Sequence, residues 1–233
     1  MHFPTTRHSA VVQAAPRQSP RSELTVLKQW LADQRHELML MLAPAIHEAG
    51  HVFAARAHGF EVAWVSLDPD FLMNNPLAIE NKCASGEPVA MVIAAPRIRP
   101  IHERGCVISR AEWDAVDAYV LECMAGPMAE ASFNPHFQIE VAERDKLQAN
   151  ALLWRVAQPS KFKFRSKVKQ ILRKAYGFVE QNREEIFFLG VMIHNRRTIL
   201  GSEIDSAIHE AKRLAVLERS GERMEIDIRL IPS

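Results

Sequence analysis

Two histidines four residues apart, His47 and His51, lie within an apolar stretch of the chain. Residues 38–46 before them are apolar apart from Pro44, and residues 52–55 after them are also apolar. This pattern predicts a mostly buried helix. A helix places residues i and i+4 on one face, so the two imidazoles lie side by side in the interior. Because buried imidazoles need partners, only a fold that supplies such partners suits this chain.

The segment reads His47-Glu48-Ala49-Gly50-His51, which is an HExxH pattern. Two neighbouring imidazoles can bind one zinc ion, and the intervening glutamate can accept a proton from a water. The pattern therefore predicts His47 and His51 as metal ligands, Glu48 as general base and peptide-bond hydrolysis as the reaction. Gly50 has poor helix propensity, which a close approach of another backbone or of substrate would explain.

Composition narrows the classes of protein to which this chain can belong. The chain has 233 residues, of which 48% are hydrophobic and 24% charged, and its formal charge is +1. These values suit one large soluble domain, and the small net charge favours neither nucleic acid nor a membrane as partner. No continuous apolar run approaches the roughly 20 residues of a membrane span, and no signal-peptide pattern is present. Three distant cysteines predict no disulfide framework, so we expect a reducing cytoplasm.

Periodicity and chain breakers predict a mainly α fold with a small β-sheet, an α+β chain with the HExxH pattern on a buried helix. Residues 1–22 are expected to form a flexible N-terminal arm and residues 23–220 a single domain. Residues 221–233 form a tail whose weak alternation suits a short edge strand.

Within the domain, prolines and glycines predict breaks between elements. We expect a helix to end near residue 42, a second to begin at Pro44, and Gly59 to end it. Gly126-Pro127 is expected to separate two further helices. The remaining predictions are strands at residues 61–67 and 88–94, loops between them, an irregular stretch after Pro96, a helix N-cap at Ser109, and helices at 141–157, 168–182, 184–195 and 202–219.

A catalytic zinc usually has three protein ligands and a water, so two histidines leave the site one ligand short. The metzincin pattern requires a third His at position 57 and a Gly at position 54, and both positions are Ala. His102, His136 and Glu130 are candidates for the third ligand. Spacing alone does not choose among them.

The chain resembles the FtsH-type zinc peptidase domain. Residues 47–51 match the HEAGH segment of that family, and the similarity as a whole covers roughly residues 40–210. The other matching segments are residues 124–130 with the family's "LAGRAAE" helix, 143–149 with its "SxDLxxA" segment, and 175–176, 182–183 and 200–204 with its C-terminal helices.

This resemblance implies that Asp145 is the third zinc ligand and that Glu130 either orients a ligand or forms a structural salt bridge. Pro127 stands where the family usually has Arg. FtsH proteins carry an ATPase module and membrane segments before the peptidase domain, whereas only a short polar arm and one added helix precede it here. The implied protein is a stand-alone peptidase that cleaves flexible or unfolded polypeptides, or borrows a separate unfoldase.

Three alternatives stay open at this point. The first is a regulatory protease that cuts one specific partner. The second is an inactive zinc-binding scaffold, against which the intact Glu48 argues, since a structural site needs no base. The third is a metal-free helical interaction domain. We expect no nucleic acid and no membrane insertion, and an oligomer is compatible with the sequence.

Overall fold

A computed structural model describes residues 20–80, 88–93, 95–107, 109–134, 136–137, 142–156 and 161–220. The chain divides into two compact units, Met1–Leu38 and Met39–Ser233. The described part of the first unit is helical. The sheet and all the residues of the candidate site belong to the second unit.

The predicted fold class is confirmed, because the described residues are mainly helical with one small antiparallel sheet. The strands are β1 (Glu61–Ser66), β2 (Val89–Ile93) and β3 (Thr198–Leu200). The helices are α1 (Pro20–Ala57), α2 (Pro69–Asn74), α3 (Pro76–Glu80), α4 (Ala95–Arg104), α5 (Arg110–Phe133), α6 (Glu143–Val156), α7 (Lys161–Gln181), α8 (Arg183–Arg196) and α9 (Gly201–Ser220).

The sheet has the strand order β2-β1-β3, with β1 antiparallel to both neighbours. Val65 of β1 lies opposite Ala90 of β2 and Ile199 of β3. The register between β1 and β2 shifts between Val62 and Trp64, as at a bulge. Because β1 occupies the centre, β2 keeps one side without a strand partner among the described residues.

Two predicted breaks at proline are wrong. Helix α1 continues through Pro44, and α5 continues through Pro127. A proline inside a helix removes one hydrogen bond and tends to bend the helix, but packing can offset that loss. The neighbours of Pro44, Ala43 and Ala45, are buried, and Pro127 is itself buried.

The stretches interpreted as loops contain short helices. Helices α2 and α3 lie between the first two strands, and α4 carries Pro100 inside it. Prolines begin α2 and α3, where a missing N–H costs nothing, so these residues start helices there rather than end them. Strand β3 was not predicted, because three residues are too few to show a period. The N-terminal arm up to residue 19, residues 81–87 and the tail at 221–233 lie outside the described residues.

Two predicted helix ends are confirmed. Ser109 caps α5, since its side chain accepts a hydrogen bond from the Glu112 backbone N–H. Gly59 has a φ of +72° just after α1, a conformation that glycine adopts without strain. This end directs the chain from α1 into β1.

The HExxH face of α1 packs closely against α5. A Cβ atom on Gly50 would lie 2.5 Å from the Ala125 carbonyl oxygen and 2.8 Å from the Ala129 Cβ. The predicted close approach at Gly50 is therefore to another backbone. On α8, a Cβ on Gly190 would meet Ile46 at 2.9 Å, so a second helix also lies close to α1.

Gly50→Ala should destabilise the metal-free protein by about 1–3 kcal/mol, because the added methyl overlaps a backbone oxygen that cannot move alone. The matched control is Gly177→Ala in α7, where a Cβ would meet nothing within 4 Å. That control should stabilise the protein by about 0.5–1 kcal/mol through better helix propensity. Urea unfolding with a chelator present measures both changes, and equal effects of the two substitutions would contradict this packing.

Candidate metal centre

One turn of α1 supplies three polar groups to a common site. His47 and His51 are four residues apart and face the same way, with their Nε2 atoms 3.2 Å apart. Glu48 lies beside them and only 6% of it is exposed. The turn is otherwise apolar, so these groups depend on partners from other elements.

The third candidate ligand comes from the first turn of α6, 98 residues along the chain from His47. Asp145 Oδ2 lies 3.2 Å from His47 Nε2, and Asp145 Oδ1 lies 3.7 Å from His51 Nε2. One ligand atom from each of the three residues lies within 4.8 Å of the other two. The structure thus brings together the two histidines and the aspartate that the family resemblance implies.

The other ring nitrogen of each histidine has an acceptor of its own. His47 Nδ1 lies 2.9 Å from Glu130 Oε2. His51 Nδ1 lies 2.9 Å from the main-chain oxygen of Glu122 and 3.3 Å from its carboxylate Oε1. Because these partners accept hydrogen bonds, each Nδ1 carries the proton, which leaves the Nε2 lone pair toward the site in the neutral ring. Histidines that bind metals are oriented in the same way.

Three groups with lone pairs therefore face one another: two Nε2 atoms and the Asp145 carboxylate. Only a proton or a cation between them makes this arrangement favourable. Without a metal, burial lowers the pKa of His47, but the Asp145 and Glu130 carboxylates outweigh burial and raise it to about 9. Burial likewise opposes the charge of His51, yet Asp145 and Glu122 raise its pKa well above the usual value. The surroundings thus favour positive charge at this point.

Two separations between candidate ligand atoms fit a zinc ion. Ligand atoms at about 2.0–2.1 Å from a tetrahedral zinc are about 3.3 Å from each other. His47 Nε2 lies 3.2 Å from both His51 Nε2 and Asp145 Oδ2, while the other carboxylate oxygen, Oδ1, lies 3.7 Å from His51 Nε2. Two imidazoles and one carboxylate suit zinc and leave a fourth position open, as in catalytic sites.

The surroundings of Glu48 suit a carboxylate that accepts a proton and then keeps it. Burial raises the pKa of its carboxyl group, and the nearby Asp145 charge acts in the same direction. His47, His51 and the Ala90 backbone N–H partly oppose that rise. Desolvation is therefore the main cause of the raised pKa of Glu48.

A cleft of about 530 Å³ opens onto these residues. Helix α1 supplies His47, Glu48 and His51, and strand β2 supplies the opposite wall. Helices α5 and α6 complete it. Five consecutive residues, 88–92, line the cleft, so β2 runs along it.

Two of the candidates for the third ligand lie elsewhere. His102 on α4 and His136 after α5 are exposed, and neither belongs to the group that could hold a metal among the described residues. Glu130 contacts His47 at Nδ1, which fits the orienting role considered for it. Glu122 was not predicted at all. The available signal was the spacing of four residues between Glu122, Gly126 and Glu130 on one face of α5.

Gly126 lies directly against a candidate ligand. A Cβ at this position would overlap the imidazole of His51, 2.5 Å from its Cδ2 atom. The absence of a side chain at Gly126 therefore makes room for the ring between α1 and α5.

Neither the scan against protein-family models nor the search of curated proteins gives a match for this chain.

Residues Glu37–Ala57 of α1 are long and apolar enough to cross a membrane by length and composition. Within the best window of that stretch, 67% is buried inside the protein. A buried core helix passes the same test, so this feature is weak support for a membrane span. The absence of membrane insertion stays a prediction.

Gly126→Ala should weaken zinc binding by at least about tenfold, because the methyl displaces the His51 ring from its partners. Zinc content after dialysis and a competition titration with a chelator measure this loss. Gly177→Ala again serves as the control and should bind zinc like the wild type. Wild-type affinity in Gly126→Ala would show that the ring position does not matter for metal binding.

Proposed function

We propose that the protein is a zinc metallopeptidase that hydrolyses peptide bonds in flexible or unfolded polypeptides without ATP. The observation that carries the proposal is the convergence of His47 Nε2, His51 Nε2 and the Asp145 carboxylate beside the buried Glu48. The open cleft next to them gives a polypeptide access.

In this proposal His47, His51 and Asp145 hold the zinc, while Glu130 and Glu122 fix the orientation of the two imidazoles. Bound zinc would polarise a carbonyl oxygen and lower the pKa of a water to about 7. The donor set supports this assignment because His47 Nε2 lies 3.2 Å from both His51 Nε2 and Asp145 Oδ2, a spacing that two ligands of one tetrahedral zinc have.

Glu48 carries the proton transfers. It accepts a proton from the water as the water oxygen adds to the scissile carbonyl carbon. The same proton then passes to the amide nitrogen as the C–N bond breaks, so the products are a carboxylic acid and an amine, which ionise to a carboxylate and an ammonium group. Burial raises the pKa of Glu48, which helps the carboxyl group to hold the proton between the two transfers.

The substrate class follows from the cleft wall. An extended polypeptide can add to the free side of β2 through main-chain hydrogen bonds. Only a flexible segment can adopt that conformation, so folded substrates would need a separate unfoldase. The similarity of residues 47–51 and 143–149 to the FtsH-type peptidase domain also supports a protease over a scaffold.

Glu48→Gln should keep about one zinc per chain and reduce casein cleavage by at least about 10²-fold, because the amide cannot accept the proton. Zinc analysis and a cleavage assay on the same samples measure the two results. Glu218→Gln on α9 is the matched control, since Glu218 is exposed, and it should cleave at the wild-type rate.

The outcomes separate the candidate functions. Cleavage by Glu48→Gln at the wild-type rate would contradict the proposed base. A wild-type protein that binds zinc but cleaves neither casein nor any protein in a proteome would be a scaffold. Cleavage confined to one protein of the proteome would show a regulatory protease.

A further inference from the structure

We propose that Tyr119 is a second catalytic residue of this site, and that its hydroxyl group donates a hydrogen bond to the oxyanion formed from the scissile carbonyl. This inference rests on the proposed peptidase function and adds a group that the HExxH pattern does not contain.

Tyr119 lines the same cleft as His47, Glu48 and Asp145. It is half-buried on α5, one turn before Glu122 and Cys123, which line the cleft as well. Residues i, i+3 and i+4 of a helix share a face, so the phenol belongs to the α5 wall that also orients His51.

The polar side chain one helical turn from Tyr119 on the same face is the Cys123 thiol. The Cys123 Sγ lies 3.7 Å from Glu122 Oε2. Burial raises the pKa of the Cys123 thiol, so the sulfur is neutral. Neutral sulfur accepts hydrogen bonds weakly, and a negatively charged oxygen in the cleft would therefore compete well for the hydroxyl.

The need for such a donor follows from the charges around the site. Glu122 and Asp145 line the cleft, and their carboxylates would repel a developing oxyanion, whereas Glu48 holds a proton at that stage. A neutral donor fixed in place stabilises that charge without being neutralised by the carboxylates. Tyrosine has this property, since a phenol with an ordinary pKa near 10 keeps its proton at neutral pH.

Tyr119 is better placed than the two side-chain donors that α6 contributes to the described cleft wall. Arg144 and Gln148 on α6 also line the cleft, but both are exposed. Water competes with an exposed donor, whereas a half-buried hydroxyl acts in a medium of lower dielectric constant. The proton of Tyr119 stays on its oxygen throughout, and Glu48 alone transfers protons.

Tyr119→Phe tests the inference, with Tyr176→Phe as control. The chain has two tyrosines, and Tyr176 on α7 is 57% exposed. Tyr119→Phe should lower kcat by about 10²–10³-fold and leave KM for a peptide substrate unchanged. Zinc content and Tm should match the wild type. Tyr176→Phe should match the wild type in every measurement.

A second readout does not depend on turnover. A phosphinic peptide carries a tetrahedral group with charged oxygens in place of the scissile amide. Calorimetry on zinc-loaded protein should show that Tyr119→Phe binds this peptide more weakly by a factor similar to the loss in kcat. Binding of the corresponding uncleaved amide peptide to a Glu48→Gln background should not change.

The results that would overturn the role of Tyr119 differ from the result that would overturn the peptidase function. Equal kcat and equal phosphinic-peptide affinity in Tyr119→Phe and wild type would overturn the role of Tyr119 and leave the peptidase standing. An equal loss in Cys123→Ala and Tyr119→Phe would show that only the contact between them matters, and would also overturn it. A wild-type protein that neither cleaves casein nor binds the phosphinic peptide would overturn both the peptidase and this inference.

Discussion

The mutual approach of two Nε2 lone pairs and one carboxylate is the constraint on which the rest of the structure depends. Such groups repel one another in the interior unless positive charge lies between them. The hydrogen bonds from Nδ1 to Glu130 and Glu122 increase this repulsion, because they direct the Nε2 lone pairs of both neutral rings toward the Asp145 carboxylate. Four carboxyl groups, from Glu48, Glu122, Glu130 and Asp145, surround the two rings, and a divalent cation offsets part of that charge.

Helix α5 supplies the space and the hydrogen-bond acceptors that the two imidazoles need. One of its faces carries, in order, Tyr119, Glu122, Gly126 and Glu130, at spacings of three or four residues. Gly126 makes room for the His51 ring, and the two glutamates hold one ring each. The same helix approaches Gly50 closely enough to exclude a side chain there. A single helix face thus packs against α1, orients the imidazoles and lines the cleft.

The local part of the site could be predicted from the sequence, and the distant part could not. His47, Glu48 and His51 belong to one helical turn, so their spacing alone places them together. Asp145 lies on another helix, and only the resemblance to a known peptidase domain singled it out. Glu122 was missed because its spacing from Gly126 and Glu130 shows a shared face of α5 but does not show that this face meets α1. In the fold, the helices over residues 141–219 were predicted from periodicity, whereas helix breaks at Pro44 and Pro127 were wrong because burial outweighs a single lost hydrogen bond.

X-ray absorption at the zinc edge tests the central claim most directly, because it reports the atoms bound to the metal whether or not the protein cleaves a substrate. Zinc-loaded wild type should show two imidazole nitrogens and oxygen ligands at about 2.0–2.2 Å. Asp145→Ala should lose the carboxylate contribution and bind zinc more weakly. A wild-type protein that takes up no zinc, or a spectrum unchanged by Asp145→Ala, would contradict this account.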